Sequence, residues 1–337
     1  SHFTARLESA MMIYPWQENE WREWQKTQQL ARMPHAMLLT GMAGIGKTQF
    51  ASAMAAALLC QKKINTLPCG ACHACLQFKA RVHPNVLWVE PEKPTAAIKV
   101  DQVRALNEFI QQSSLQGDYR VALVTAADNL NLAAANALLK TLEEPAQGAL
   151  IILISHQRLP LLATIKSRCQ RLSFANPKKE PALTWLRAQG QIEDPELVLR
   201  LTQGAPLAVL DYQAAGLMPT RHLLLNTLDQ LLQNKLDSIQ ATAKVSECDL
   251  DWVLLQLLLW LQDVIGLQLE RGEAELCNRD QLPALRTAAK QFPVQHWFKV
   301  WQKVKAARMD ILRGIHLNQS LLFENLFIEW MPSHVFS

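Results

Sequence analysis

The stretch Gly41-Met42-Ala43-Gly44-Ile45-Gly46-Lys47-Thr48 matches the P-loop pattern G-x-x-x-x-G-K-[ST]. An apolar run at residues 36–40 precedes it and predicts a strand, and helical spacing follows it. Glycines let backbone N–H groups converge on phosphate oxygens, and a helix N-terminus favours their negative charge. We expect the lysine to reach the terminal phosphates and the threonine to bind Mg²⁺. The predicted nucleotide-binding residues are Gly41, Gly44, Gly46, Lys47 and Thr48; a glycine-rich turn without a ligand is the alternative.

Apolar runs alternate with helical patterns through the first half of the chain. This alternation is typical of a parallel sheet covered by helices. The predicted strands are residues 36–40, 86–89, 121–125, 149–155 and 171–174, and the predicted helices between them are 47–60, 100–112, 133–142 and 159–166.

The pattern changes to helices alone after residues 176–179. Short helices are predicted at 180–189, 194–202 and 207–215, and longer ones at 222–236, 249–271, 282–291, 295–313 and 320–330. With 337 residues, we expect two or three domains. We place their bounds at 12–176, 177–216 and 217–334, and we interpret Ser1 to Ala10 as added residues before a natural start at Met11 or Met12.

Composition excludes some classes of protein. At 49% hydrophobic and 19% charged residues, the chain is able to bury sizeable cores and is not of the disordered type. The net charge of +4 permits contact with nucleic acid without arguing for it. We find no signal peptide and no apolar run of the roughly 18 residues that a membrane span needs, so we expect a cytoplasmic protein without a membrane partner. The apolar stretch 252–267 contains Gln256, Gln262 and Asp263 and predicts a buried helix.

Hydrolysis at a P-loop requires acidic residues at the end of a neighbouring strand. The strand predicted at 121–125 ends in Thr125 and Ala126 instead. Asp128 comes later, where we expect it to cap a helix. We therefore predict that ATP or ADP with Mg²⁺ binds here, if at all, without being hydrolysed.

Four of the seven cysteines have the spacing C-x8-C-x2-C-x2-C. Four thiolates suit tetrahedral Zn²⁺, and a small closed module of this kind is typical of a structural site. Four free thiols are the alternative, and His73 lies within the module as a competing ligand that four cysteines make unnecessary. The predicted zinc ligands are Cys60, Cys69, Cys72 and Cys75.

Three features together resemble the bacterial clamp-loader subunits of DNA polymerase III, an AAA+ family. They are the stretch from Asn136 to Pro145, the tripeptide Ser167-Arg168-Cys169, and the zinc module after the P-loop helix. The resemblance covers Tyr14 to about Gly216, and more weakly the rest, where residues 314–318 are similar to the collar of the family. It implies an α/β AAA+ P-loop domain with a parallel sheet and zinc module, followed by a small helical lid and an all-α C-terminal collar domain.

Within this family the chain is more similar to the delta-prime type than to the γ/τ motor ATPase. The motor type has Asp-Glu where this chain has Thr125 and Ala126, and an arginine where it has Leu207. The opening Tyr14-Pro15-Trp16 is also similar to delta-prime, although some delta-prime chains have a degraded P-loop and this one is intact.

The resemblance implies a role for Arg168 in catalysis by another subunit. In the family this arginine contacts ATP bound by the neighbour; without the resemblance, pairing with a surface carboxylate is the simpler interpretation. Glu143 and Glu144 predict a solvated or interface surface. The implied partners are γ/τ and delta subunits in a hetero-pentameric ring, the sliding clamp and primer-template DNA. The chain would then be an accessory subunit of a DNA-directed DNA polymerase, a nucleotidyltransferase, and not an ATPase by itself.

Three other functions remain open from the residues alone. A motor-type ATPase would hydrolyse ATP through Lys47, and a P-loop scaffold unrelated to replication would not assemble with a clamp loader. A P-loop kinase is weaker, because we find no arginine-rich lid.

Overall fold

The chain divides into two units, Ser1–Ala182 and Leu183–Ser337. The structure, a computed structural model, describes residues 11–29, 33–93, 96–112 and 119–331. Ser1 to Ala10, which we interpret as added residues, lie outside the described part.

The first unit contains a five-stranded parallel sheet, as the alternating pattern predicts. The strand order is β2-β3-β4-β1-β5. The strands are β1 Ala36–Thr40, β2 Val86–Val89, β3 Arg120–Val124, β4 Ala149–Ser155 and β5 Gln170–Ser173. The helices are α1 Glu18–Gln28, α2 Lys47–Leu59, α3 His73–Lys79, α4 Val100–Gln111, α5 Leu132–Glu143 and α6 Ala163–Lys166.

The sheet brings the ends of three strands to one edge. Every residue of β3 and β4 is buried, as expected for parallel strands covered on both faces. Thr40 at the end of β1 pairs with Ser155 at the end of β4, and Val124 at the end of β3 pairs with Leu153. The loops after β1, β3 and β4 therefore begin at the same edge, where ligands bind in open α/β sheets.

Local differences from the prediction have local causes. The helix predicted at 159–166 begins only at Ala163, because Pro160 disfavours helical backbone at residue 159 and the N-cap Leu162 has a non-helical ψ of 135°. Helix α1 was not predicted, although its buried Trp21 and Trp24 lie three residues apart on one face. Helix α3 follows Cys72 inside the cysteine module and was also missed.

The second unit is helical, as predicted. Its helices are α7 Lys179–Ala188, which crosses the division, then α8 Pro195–Leu201, α9 Pro206–Ala214, α10 Leu217–Leu232, α11 Ser238–Val245, α12 Leu250–Gln268, α13 Leu282–Gln291, α14 Val294–Leu312 and α15 Gln319–Phe327. Helix α10 begins earlier than predicted because a proline is tolerated in the first turn, and α11 was missed despite its capping box of Asp237 and Gln240.

Helix α12 is the central helix of the second unit. It is long and apolar enough to cross a membrane, but 61% of its most apolar window is buried inside the protein. Its Trp260 packs against Trp297 and Trp330 at ring-centroid distances of 5.7 and 5.9 Å. Asp263 on the same helix is buried and accepts hydrogen bonds from the amides of Cys277 and Asn278. The burial agrees with the predicted core helix.

Candidate nucleotide site, metal centre and exposed arginine

The P-loop connects the end of β1 to the first residue of α2. Gly41, Gly44 and Gly46 have φ of 153°, 78° and 89°, a region that L side chains rarely adopt. A Cβ at position 41 would lie 2.8 Å from the carbonyl oxygen of Phe174. The loop therefore has the backbone that the motif predicts; all three glycines are required by conformation, and Gly41 also by space.

An N-terminal segment packs directly on the P-loop. The Trp16 indole and the Gln17 amide each donate a 3.0 Å hydrogen bond to the carbonyl of Ile45. The Tyr14 ring stacks on Trp16 and lies so close to Gly46 that a Cβ there would be 2.4 Å from a ring carbon. The residues that we used only for the resemblance thus form one wall of the loop.

Lys47 is buried against its own loop. Its side chain is 2% exposed, and its Nζ donates to the carbonyls of Gly41 at 2.7 Å and Met42 at 2.5 Å. Burial lowers the pKa of Lys47 to about 7, the nearby Asp128 raises it in part, and the charge of Arg158 lowers it. An anion beside Nζ would favour the charged lysine.

The loop after β3 contains no acid at its first two positions. Thr125 and Ala126 follow the strand, and the Thr125 amide bonds to the carbonyl of Val89. Our expectation that Asp128 caps a helix is wrong: it lies in a 3-10 turn, Ala127–Asn129, and Asn131 caps α5 by accepting from the Ala134 amide.

The carboxylate of Asp128 binds the end of β4. It accepts from the Ser155 hydroxyl at 2.6 Å, from the His156 amide at 2.7 Å and from the Arg158 amide at 3.3 Å. Asp128 is 6% exposed. The Asp128 carboxylate, which lies near the P-loop, thus already accepts hydrogen bonds from three donors.

His156 lies beside the same cluster. Its Nε2 is 3.1 Å from the carbonyl oxygen of Thr125. Burial, together with the charges of Lys47 and Arg158, lowers the pKa of His156 to about 4. The ring is therefore neutral at pH 7 and leaves the positive charge of this site to lysine and arginine.

The four predicted cysteine ligands come together in space. Their sulfur atoms all lie within 4.8 Å of one another, with Cys60 to Cys72 at 3.9 Å and Cys69 to Cys75 at 4.0 Å. Zn–S bonds of about 2.3 Å in a tetrahedron place sulfurs about 3.8 Å apart, so the cluster fits a structural metal such as zinc. His73 begins helix α3 and is not part of this group.

Backbone amides support the thiolate form of these ligands. The Cys60 sulfur accepts from the amides of Lys62 and Cys69, and the Cys69 sulfur accepts from those of Ala71 and Cys72. The amides of Ala71 and Cys72 lower the pKa of the Cys69 thiol, whereas burial raises that of Cys60. Amide donors directed at sulfur stabilise the negative charge of a thiolate and orient it for a metal ion.

Arg168 lies just beyond the end of α6. Its Nη2 forms a 2.6 Å ion pair with Glu143, and its Nη1 donates to the carbonyl of Thr164 at 3.0 Å. The arginine side chain remains 34% exposed. The guanidinium thus pairs with a carboxylate, as the simpler interpretation of the sequence expects. It is also still accessible, which a contact with a neighbouring subunit would require.

Known proteins match the chain over most of its length. The family model described as DNA polymerase III, delta subunit, matches residues 16–178, and the one described as DNA polymerase III, delta subunit, C terminal, matches residues 215–331. The DNA polymerase III subunit delta' of Pseudomonas aeruginosa is 34% identical, over 94% of this chain and 97% of its own length. The chain belongs to the DNA polymerase III delta-prime family.

Other delta-prime subunits agree. That of Yersinia pestis is 30% identical over 95% of this chain and 96% of its own length. That of Escherichia coli is 36% identical over 59% of this chain and 60% of its own length. The predicted family is thus confirmed.

Sequence reasoning missed several residues that lie beside the P-loop of this delta-prime chain. Ser155 and His156 carry no motif, but the end of β4 is a position that a parallel sheet places beside the P-loop. Gln17 gave no signal at all, since its bond to Ile45 crosses a sequence separation of 28 residues.

Proposed function

We propose that this chain is a stator in a clamp loader of DNA polymerase III. It would help to place the sliding clamp on primer-template DNA without hydrolysing ATP itself, and it would supply Arg168 to ATP bound by a neighbouring γ/τ subunit. One contrast supports this: Thr125 and Ala126 follow β3 where a motor needs acids, while Arg168 lies partly exposed outside the P-loop.

Slow or absent hydrolysis follows from the chemistry of phosphoryl transfer. A carboxylate must hold Mg²⁺, and another group must orient the attacking water. Asp128 accepts from three donors at the end of β4, so its lone pairs are directed away from that task. A bound ATP would therefore remain unhydrolysed.

The P-loop itself retains the groups that hold phosphates. The positive φ of its glycines and the N-terminus of α2 suit an anion, and Lys47 lies within the loop. We propose that Gly41, Gly44, Gly46, Lys47 and Thr48 bind ATP or ADP with Mg²⁺ as a static ligand.

The cysteine cluster would hold one structural zinc ion. We propose Cys60, Cys69, Cys72 and Cys75 as its four ligands, which leaves no open position for a reacting water. The metal would fix the segment between α2 and α3, in which residues 61–66 are exposed.

The remaining assignments concern assembly. We propose residues 12–176 as the AAA+ core, 177–216 as the lid and 217–334 as the collar that joins γ/τ and delta subunits in a hetero-pentameric ring. The buried tryptophan cluster of Trp260, Trp297 and Trp330 would make the collar a rigid body.

Replacing Arg168 by Ala in the assembled loader tests the central claim. An arginine finger contributes roughly 10³-fold or more to the rate at the site it serves, so the DNA-stimulated ATPase should fall while the ring still assembles. Arg171→Ala, an exposed arginine on β5, is the matched control and should leave the rate unchanged. An unchanged rate with Arg168→Ala would remove the claim.

A motor-type ATPase is the rival function that the intact P-loop favours. The purified chain alone distinguishes them. Turnover that disappears in Lys47→Ala would support the motor, and binding without turnover would support the static site. Failure to assemble with clamp-loader subunits would instead favour a scaffold unrelated to replication.

A further inference from the structure

The ion pair between Glu143 and Arg168 has a geometry suited to positioning. Glu143 is the last residue of α5, and Arg168 follows the C-cap Ser167 of α6. Their side chains are 50% and 34% exposed, and they meet at 2.6 Å. A separate bond from Nη1 to the carbonyl of Thr164 holds the other arm of the guanidinium.

We infer that Glu143 is a positioning residue for Arg168, fixing the direction of the guanidinium before it meets the phosphates of a neighbouring subunit. The inference rests on the proposed function, because it needs Arg168 to act in trans.

The location of Glu143 is unfavourable without Arg168. The last turn of a helix exposes carbonyl oxygens, and its partial negative charge disfavours a carboxylate. Lys140 is the basic residue of that turn, and Glu143 itself pairs with Arg168 on another element. The ion pair with Arg168 thus offsets the repulsion between the Glu143 carboxylate and the end of the helix.

The chemistry of the guanidinium allows both contacts to coexist. Arginine has five N–H donors in a rigid fork, and the structure directs them to Glu143, to the carbonyl of Thr164 and, at 3.5 Å, to the Ser167 hydroxyl. The remaining donors are available for phosphate oxygens. A long side chain that is held at two points also loses less rotamer freedom when it binds a third group.

Stability is a weak explanation for the same pair. Ion pairs between half-exposed side chains contribute little to folding because solvent screens them. Glu144, the next residue, is also exposed and forms no ion pair among the described residues. The neighbouring carboxylates therefore differ in their contact with Arg168, which makes Glu144 a matched control.

The test uses the complete clamp loader with this subunit replaced by variants. With Glu143→Gln we expect kcat of the DNA-stimulated ATPase to fall about two- to fivefold, the range that an exposed ion pair supplies. KM for ATP should stay unchanged, since the neighbour's own P-loop binds the nucleotide. Glu144→Gln should match wild type. Glu143→Asp, which keeps the charge, should have a kcat between those of wild type and Glu143→Gln.

Coupling separates positioning from a general structural effect. In the Arg168→Ala background, Glu143→Gln should cause no further loss, because nothing remains to be oriented. An equal further loss, or a wild-type rate for Glu143→Gln alone, would overturn the inference. If Arg168→Ala itself has no effect, the proposed function fails as well, and the two failures are thus distinguished.

Discussion

The Ser155 hydroxyl donates a 2.6 Å hydrogen bond to the carboxylate of Asp128, joining the end of β4 to the loop after β3. Both residues are buried, and the charge of Asp128 also acts on Lys47 in the P-loop. One carboxylate therefore joins the loop after β3 to the end of β4 and acts electrostatically on the P-loop beside them.

Replacing Asp128 by Asn should destabilise the protein by about 1–3 kcal/mol, because the buried Ser155 hydroxyl and the partly buried amides of His156 and Arg158 lose a charged acceptor. The free energy of unfolding in urea measures it. Asp101→Asn, which removes an exposed pair with Arg104, should cost less than about 1 kcal/mol. Equal losses for the two variants would contradict a role of Asp128 in joining the loops.

Replacing Gly46 by Ala should destabilise more than replacing Gly204 by Ala. The two glycines have φ of 89° and 85°, so both variants incur the left-handed backbone penalty of about 1–2 kcal/mol. Only at position 46 would the new Cβ meet another group, the Tyr14 ring at 2.4 Å; at position 204 nothing lies within 4 Å. Thermal unfolding compares them, and Tyr14→Ala should restore part of the loss at position 46 but none at position 204.

Nucleotide binding should be coupled to proton uptake by Lys47. Burial lowers the pKa of this lysine to about 7, so at pH 8 most of it is neutral before binding. A bound triphosphate favours the charged form and raises the pKa, so about one proton at most is taken up near pH 8 and little near pH 6. Affinity should consequently fall as the pH rises above 7.

Calorimetry at pH 8 in buffers of different ionisation enthalpy measures this uptake. Lys47→Met, which replaces the amine by an uncharged side chain of similar length, should remove both the proton uptake and most of the affinity. A binding enthalpy independent of the buffer would show that the lysine is already charged.

The cysteine cluster should bind one zinc ion per chain. Cys69→Ser should lose most of this metal, because one thiolate ligand of four is removed. Cys248→Ser, outside the cluster, should retain it. Elemental analysis of purified variants decides between them, and metal content equal to wild type in Cys69→Ser would place the ion elsewhere.

Local signals accounted for much of the fold. Apolar runs predicted the strands of the parallel sheet, the glycine motif predicted the P-loop turn, and the cysteine spacing predicted the cluster of four sulfurs. Each of these signals lies within a short stretch of sequence. Helix α11 was missed although Asp237 and Gln240 form a capping box that the sequence displays. Helix α11 could therefore have been predicted from these two residues. The role of Asp128 could not, since its partners lie at the end of β4, far away in the sequence.

From the chain alone one could deduce the P-loop, the missing acids at Thr125 and Ala126, the four candidate metal ligands and the family. Periodicity and short motifs encode these, because hydrogen bonds and steric limits act within a few residues. Tertiary structure alone revealed the packing of Tyr14 on Gly46, the partners of Asp128 and the pair between Glu143 and Arg168. Those contacts join residues far apart in the chain, and only the strand order and the burial of each face bring them together.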